Sequence, residues 1–360
     1  MSDIRTAKRA LIIGPSNIGD AILAAEVVAA VHRYDPAAYL TLVVGERATA
    51  LFQGDPRIRT LVNADHYDSL TGRLQLAWAL WRYRPHLVVD LRHTLYPLLL
   101  KPLTVWRYLR QPPARLVHMR DRHWWRLTAQ APQVTKQERS THQHADGASP
   151  AVSLILLTPK DTAHVEGLMR RWPLVPDRPL VVMCPGARSH IKRWMTAGFA
   201  AVADRLIDER GVQVVFSGEL EEAPIVEEIL SQMRQRAVNA VGHVTIRQLA
   251  VLMQHAQLVL TNDSASLHLA SAVDVPTVAI FGPTDERQYG PTARGSRVVR
   301  RRLFCAPCER ALCRFSHECM RFVTVEEVVG AAVERLQNGR RDPAAQDKGG
   351  EAGSATEGHD

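Results

Sequence analysis

The chain of 360 residues lacks any apolar run long enough for a membrane-spanning helix. Its first residues lack the apolar core of a signal peptide, because the short apolar run there leads directly into Gly14 and Pro15. No zinc-finger helix pattern or RNA-binding aromatic signature accompanies its formal net charge of +8. These absences predict a cytoplasmic protein that binds no nucleic acid, and the charge favours a nucleotide sugar or an anionic lipid as partner.

The composition, with 46% hydrophobic and 23% charged residues, is that of a globular protein. A chain of 360 residues is too long for one small core, so we predict two α/β domains. We expect a first domain over residues 1–175, with the linker at 175–179, and a second over 176–337. Residues 338–360 contain no large apolar side chain and are predicted to be disordered.

Apolar runs and helical spacing alternate along the chain, as in open parallel sheets. Strands are predicted at 9–13, 39–44, 57–62, 87–91, 180–184, 212–216, 257–261 and 277–281. Helices are predicted at 19–33, 70–83, 163–172, 196–209 and 325–337. Thr196 is expected to cap its helix, and Thr245 with Gln248 forms a capping-box pattern. Residues 128–150 are polar and predicted to form a loop, in which His142 and His144 are solvated rather than metal ligands.

The stretch 261–285 organises the rest of the chain. It consists of a strand, a polar tip, a helix and a second strand, and ligands of parallel sheets sit beyond such strand ends. Ser264 and Ser266 would place hydroxyl and N–H groups at a helix start, which suits an anion. Asp263 would instead accept hydrogen bonds from sugar hydroxyls. The alternative is a capped strand–helix junction without a ligand.

Asp20 lies in the first turn of the helix that follows the first strand. An acid is favoured there by the helix dipole alone. The same dipole would keep the carboxylate ionised at the mouth of the strand, where it could act as a general base. Both interpretations fit the residue pattern.

Residues 92–126 mix arginine with tryptophan, tyrosine and leucine. This mixture suits a membrane surface or an anionic glycolipid, with Arg92, Arg107 and Arg110 as acceptor-binding candidates. The alternative is an amphipathic segment packed on the sheet, with Trp124 and Trp125 in a domain interface.

Four of the five cysteines lie within residues 305–319, namely Cys305, Cys308, Cys313 and Cys319. Four thiols in one short cytosolic segment point to tetrahedral zinc before disulfides. Their spacing differs from the paired pattern of zinc ribbons, however, so reduced thiols that pack a loop are preferred to a structural zinc site.

Three segments resemble glycosyltransferase family 9, the heptosyltransferases of lipopolysaccharide assembly. They are SNIGDAIL at 16–23, PGARSHIKRW at 185–194 and NDSxxxHLAxAxxxPTVAxFGPTD at 262–285. The family usually has glycine where this chain has Ala265. The resemblance implies that Asp20 is the base and that Lys192 meets the donor diphosphate. The implied donor-binding residues are Lys192, Arg193, Glu222, Asp263, Ser264, Ala265, Ser266 and His268.

The resemblance also implies the GT-B architecture, in which two doubly wound Rossmann-like domains face each other across a cleft. The implied reaction is an inverting transfer of heptose from a nucleoside-diphosphate heptose, as in ADP-heptose, to a lipopolysaccharide inner-core acceptor. It requires no metal, because protein groups neutralise the leaving diphosphate. Such an enzyme could lie peripherally on the cytoplasmic face of the inner membrane. A nucleotide-sugar epimerase of the same architecture and a non-catalytic nucleotide-sugar-binding protein are the alternatives.

Overall fold

A computed structural model describes residues 8–135 and 154–338 of the chain. The first part contains a four-stranded sheet with the order β3-β2-β1-β4, in which every strand pair is parallel. Its strands are short and apolar, as buried parallel strands are. They are β1 Arg9–Ile13, β2 Tyr39–Val44, β3 Thr60–Asn63 and β4 Leu87–Asp90.

The second part contains a six-stranded parallel sheet with the order β10-β9-β8-β5-β6-β7. Its strands are β5 Leu180–Cys184, β6 Gln213–Phe216, β7 Val238–Asn239, β8 Leu258–Asn262, β9 Thr277–Phe281 and β10 Arg297–Arg300. In each sheet the chain first runs outward in one direction and then returns to the other side of the first strand. Both sheets are therefore doubly wound, and their switch points lie between β1 and β4 and between β5 and β8. The predicted α/β class is confirmed.

Helices cover both faces of the sheets. In the first part they span Ile18–Tyr34, Glu46–Phe52, Leu70–Tyr83, Tyr96–Leu100, Trp106–Leu109, Met119–Gln130 and Pro159–Arg171. In the second they span Thr196–Arg210, Ala223–Gln232, Ile246–Gln254, Ala265–Ala272, Glu286–Tyr289, Glu318–Arg321 and Val325–Asn338. Short 3-10 turns lie at Ala64–Tyr67, Pro102–Thr104, His190–Lys192 and Leu220–Glu222.

Several local predictions are confirmed and others are wrong. The Thr245 capping box forms as expected. Thr196 is the first helical residue instead of the cap, and its hydroxyl donates to Glu228. The predicted loop 128–150 begins too early, because helix Met119–Gln130 continues through its first three residues. His142, His144 and residues 339–360 lie outside the described residues, and the domain boundary at 175 stays a prediction.

One apolar core continues from the first half into the second. Helix Ile18–Tyr34 packs against helix Ala265–Ala272, and the same buried cluster includes Leu42 of the first sheet and Val182 of the second. This packing holds the carboxyl end of β1 opposite the carboxyl ends of the second sheet. Within the described ranges, no helix is long and apolar enough to cross a membrane.

Candidate active site

The candidate site lies at the switch points of the two sheets. Asp20 follows β1, whereas the loop at 185–194 follows β5 and Asp263 follows β8. More than 160 residues separate Asp20 from the other two segments. They meet because helices Ile18–Tyr34 and Ala265–Ala272 pack directly on each other.

Asp263 is 5% exposed and accepts two hydrogen bonds on one carboxylate oxygen. Lys192 Nζ donates to Asp263 Oδ2 at 2.7 Å, and Thr284 Oγ1 donates to the same atom at 2.6 Å. A buried carboxylate needs such partners, since an unpaired charge is costly to bury. Two predicted donor residues therefore contact each other, and Thr284, which we did not predict, completes the group.

Asn262 fixes the loop that carries Lys192. Its amide donates to the Pro185 carbonyl at 2.6 Å, and its Oδ1 accepts from the Trp194 backbone N–H at 3.1 Å. The side chain thus joins both ends of the loop 185–194 to the end of β8. Arg193 Nε donates to the Ala187 carbonyl at 2.8 Å within the same loop, which leaves Lys192 directed at Asp263.

Asp20 lies half-buried in the first turn of its helix, as predicted. Burial raises the pKa of this carboxyl, and a hydrogen bond from the Asn17 side chain together with the charge of Lys192 opposes that rise. The charge of Asp263 raises the pKa of Asp20 further. Asp20 of the first half therefore lies within electrostatic range of Lys192 and Asp263 of the second half.

Arg188 connects the two halves at this point. Its guanidinium donates to Asn17 Oδ1 at 2.7 Å, and the Asn17 side chain opposes the rise of the Asp20 pKa. Neither Asn17 nor Arg188 was predicted as a site residue. Tyr289 was also missed: its ring centroid lies 6.0 Å from Lys192 Nζ, and burial raises its pKa to about 12, with the charge of Asp20 adding to that rise.

Glu222 lies over the backbone of two glycine turns. An added Cβ on Gly186 would come within 1.9 Å of the Glu222 carboxylate, and one on Gly218 would come within 2.5 Å. The carboxylate accepts from the Glu219 N–H at 3.0 Å, and burial raises its pKa. Glycine at 186 therefore lets an acid approach the loop that carries Lys192, and the role of Glu222 toward a ribose stays a prediction.

We expect Gly186→Ala to lower the affinity for ADP by at least about tenfold, because the new methyl group must displace Glu222 or the loop backbone. The measurement is calorimetric titration with ADP. Gly330→Ala is a matched control, since nothing lies within 4 Å of its added Cβ. It should leave ADP binding unchanged and raise stability by about 0.4–1 kcal/mol. Equal ADP affinity in both variants would contradict the assignment of this turn to the donor site.

The helix that follows Asp263 begins at the predicted position. Ser264 is its N-cap residue and Ala265 its first helical residue, so Ala265 does not need the positive φ that glycine would permit. The first N–H groups of a helix have no intrahelical partners and suit an anion. The hydroxyl of Ser264 lies 3.2 Å from that of Thr261, and Ser266 opposes the rise that burial causes in the pKa of the Cys184 thiol.

His268 is 5% exposed and packs against Gly19 of the first half. Burial lowers its pKa to about 4, so the ring is neutral at physiological pH. An added Cβ on Gly19 would lie only 2.9 Å from His268 Cδ2, which shows how closely the two helices approach. The structure thus assigns His268 a place in the interface, and its contact with the donor stays a prediction.

Residues 92–126 divide into two parts with different environments. Helix Met119–Gln130 packs on helix Ile18–Tyr34, and Trp124 packs against the main core, as the amphipathic alternative predicts. The preceding part, by contrast, exposes apolar side chains, among them Trp106 at 54%. Arg107 lies 5.3 Å from the Trp106 ring centroid and Arg110 lies 5.8 Å from that of Trp125. Arg92 is exposed.

The four clustered cysteines line one cavity together with Pro283 and Ile191. The N–H groups of Cys308 and Glu309 both donate to the Pro283 carbonyl at 2.9 Å. All four thiols are unpaired by disulfides, and within residues 8–135 and 154–338 no group of histidine, cysteine or acid side chains is arranged to hold a metal ion. The segment supports the loop after β9, which carries Thr284.

The fold and the site define a two-domain α/β protein with an acid from one half facing a lysine–aspartate pair from the other across a cleft. The sequence profile of glycosyltransferase family 9 (heptosyltransferase) matches residues 114–318, which is more than half of the 360 residues. The chain belongs to this family.

Individual relatives support the same assignment. The chain is 35% identical to lipopolysaccharide heptosyltransferase 2 of Salmonella typhimurium over 129 residues, 34% of this chain and 37% of that protein. It is 30% identical to lipooligosaccharide heptosyltransferase 2 of Campylobacter jejuni over 189 residues, 49% of this chain and 59% of that protein. The aligned region therefore spans less than two thirds of either relative.

Solved structures show the same fold over nearly the whole chain. The family 9 glycosyltransferase from Veillonella parvula has a TM-score of 0.74 and 20% identity, and the match covers 92% of this chain and 98% of that one. The E. coli ADP-heptose lps heptosyltransferase II has a TM-score of 0.68 and 21% identity, with 92% and 99% covered. These similarities confirm the predicted GT-B architecture.

Proposed function

We propose that the protein is an inverting glycosyltransferase that moves heptose from ADP-heptose to an inner-core acceptor of lipopolysaccharide. The observation that carries this proposal is the convergence of Asp20 from the first half with Lys192, Asp263 and Thr284 from the second. Family membership supports the reaction class, and the heptosyltransferase names of the relatives support the sugar.

In the proposed reaction the acceptor hydroxyl attacks the anomeric carbon of heptose as the bond to the diphosphate breaks. Asp20 takes the hydroxyl proton, and ADP leaves from the opposite face with inversion of configuration. The raised pKa of Asp20 makes it a stronger base than an exposed aspartate, while Asn17 and the charge of Lys192 limit that rise. Asn17 orients the carboxylate and is itself held by Arg188.

Lys192 and the start of helix Ala265–Ala272 are proposed to hold the leaving diphosphate. A lysine ammonium and helix N–H groups stabilise developing negative charge without a metal ion. Asp263 would accept hydrogen bonds from the donor sugar through the oxygen that Lys192 and Thr284 leave open. Arg193 and Glu222 are proposed to contact the nucleotide, because both border the turn at Gly186.

The acceptor is proposed to bind the first half, with Arg92, Arg107 and Arg110 meeting its anionic groups. These residues follow β4, and the carboxyl end of β4 adjoins that of β1, which precedes Asp20. A donor in the second half and an acceptor in the first would then meet across the cleft, with the attacking hydroxyl in line with the bond that breaks. Because this acceptor is linked to a lipid, the enzyme is proposed to act at the cytoplasmic face of the inner membrane.

The test is an assay of a panel of nucleotide sugars with a water-soluble, deacylated inner-core acceptor, with and without EDTA. We expect ADP-heptose to give a glycosylated acceptor and free ADP. The rate should be the same with and without EDTA, because the site uses Lys192 in place of a divalent ion. A free or epimerised sugar without acceptor transfer would favour the epimerase, and binding without turnover would favour the non-catalytic protein. Activity that returned only with added Mg²⁺ or Mn²⁺ would contradict the metal-free mechanism.

A further inference from the structure

Exposed apolar side chains are concentrated in one region of the first half. Of the eighteen large apolar side chains that are exposed in the described part of the chain, ten lie between residues 70 and 109. We name these ten the leucine–tryptophan surface: Leu70, Leu74, Trp78, Trp81, Leu95, Leu98, Leu99, Leu103, Trp106 and Leu109. An apolar patch of this kind on a water-soluble fold marks an interaction site.

Helix Leu70–Tyr83 is apolar on two opposite faces. At about 100° per residue, Leu76 and Leu80 point to one side of the helix, and Leu74 and Trp78 to the other. The first pair is buried against Leu11 and its neighbours in the sheet. The second pair is 65% and 58% exposed. The inner face is sufficient to hold the helix on the sheet, so the outer apolar face needs another explanation.

The outer face of this helix continues into residues 95–109. Helix Tyr96–Leu100 contacts helix Leu70–Tyr83, and Tyr96 packs against the cluster that contains Leu76 and Leu80. Beyond it, Leu103 is 93% exposed and Leu109 is 63% exposed. Both segments pack on this one buried cluster, so their ten exposed apolar side chains lie together on the same side of the first half.

The charge on this surface has one sign. Residues 70–117 contain eight lysines and arginines and a single acid, Asp90, which is 1% exposed. Arg82 lies 4.7 Å from the Trp78 ring centroid, and Arg107 packs on Trp106 in the same way. Arginine beside exposed tryptophan and leucine suits the boundary between lipid phosphates and acyl chains. At one end, Asp68 pairs with Arg73 at 3.7 Å and limits the surface.

We propose that the leucine–tryptophan surface docks onto an anionic lipid bilayer. A second copy of the chain fits it poorly, since pairing two such surfaces would oppose like charges. Docking there would hold the carboxyl end of β1 near the membrane, because residues 95–109 follow β4 and the carboxyl ends of β4 and β1 are adjacent. This inference depends on the proposed function only for the acceptor that the membrane would present to Asp20.

The test uses the full chain and sedimentation with vesicles of phosphatidylglycerol and phosphatidylethanolamine. We expect the parent protein to sediment with them, less at high salt, and hardly at all with phosphatidylcholine vesicles. The triple variant Trp78→Ser, Leu103→Ser, Leu109→Ser should lose at least about tenfold in vesicle partitioning, because three large apolar side chains no longer insert. Arg82→Gln with Arg107→Gln should lower partitioning and weaken its salt dependence.

The matched control replaces three exposed apolar residues of the second half, Val175→Ser, Leu220→Ser and Phe322→Ser, which are 52%, 71% and 52% exposed. It should sediment like the parent. The proposal would be overturned if the first-half triple variant sedimented like the parent protein. It would also be overturned if the parent protein did not sediment with anionic vesicles. A concentration-dependent dimer that the triple variant abolishes would overturn it as well, since a second copy would then cover the surface. Vesicle binding without heptose transfer would leave this inference standing and refute the proposed function.

Discussion

Asp20→Asn is expected to lower kcat for heptose transfer by about 100-fold or more, the usual scale for loss of a general base. Asparagine has nearly the same shape and can keep the hydrogen bond to Asn17, but it cannot accept the acceptor proton. Binding of ADP should stay near that of the parent, because the donor residues lie in the other half of the protein. Single-turnover transfer and calorimetry with ADP separate the two effects.

The pH dependence supplies a second measurement on the same residue. The base must be ionised, and burial raises the pKa of Asp20 above its ordinary value of 3.8. As the pH falls, kcat/KM should therefore decline at a higher pH than an exposed aspartate would give. The residual activity of Asp20→Asn should lack this acidic limb.

Asp208→Asn is the matched control, since Asp208 is exposed on helix Thr196–Arg210 and only accepts a hydrogen bond from Gln235. It should keep both the rate and the acidic limb of the parent. An Asp20→Asn variant with parental kcat and an unchanged pH profile would show that Asp20 only stabilises the N-terminus of its helix.

The strands and the main site residues were predictable because they depend on local sequence. Four strands, β1, β2, β5 and β9, have the predicted bounds, since buried parallel strands are short apolar runs that end at polar or turn residues. Asp20, Lys192 and Asp263 each follow such a run or sit in the loop after it. Their position at the carboxyl ends of strands therefore followed from the pattern, and the structure brings them together.

The partners of these residues were not predictable, because each contact joins segments far apart in the chain. Thr284 reaches Asp263 only because β9 lies beside β8, and Arg188 reaches Asn17 only because the two halves pack together. Strands β7 and β10 were missed because β7 has two residues and β10 is flanked by arginines. Residues 70–83 were correctly predicted as a helix, yet only the structure shows that its two apolar faces have different environments.

The second large effect is expected at Lys192. Lys192→Ala removes the ammonium that is proposed to meet the diphosphate, and hydrogen bonds to charged groups contribute about 1.5–3 kcal/mol. We therefore expect ADP to bind at least about tenfold more weakly in calorimetry and kcat to fall as well. Lys160→Ala, which removes an exposed lysine from helix Pro159–Arg171, should change neither quantity.

A weaker affinity alone would leave two explanations, because Lys192 also neutralises Asp263 at 2.7 Å. Without the ammonium, a carboxylate that is 5% exposed keeps only Thr284 as a partner and repels the incoming diphosphate. The double variant Lys192→Ala, Asp263→Asn removes that repulsion. If Lys192 acts only by neutralising Asp263, the double variant should recover most of the ADP affinity. If Lys192 holds the diphosphate directly, the affinity stays low, and this is the result we expect. Parental affinity and turnover in Lys192→Ala would show that the lysine is only part of a solvated basic loop.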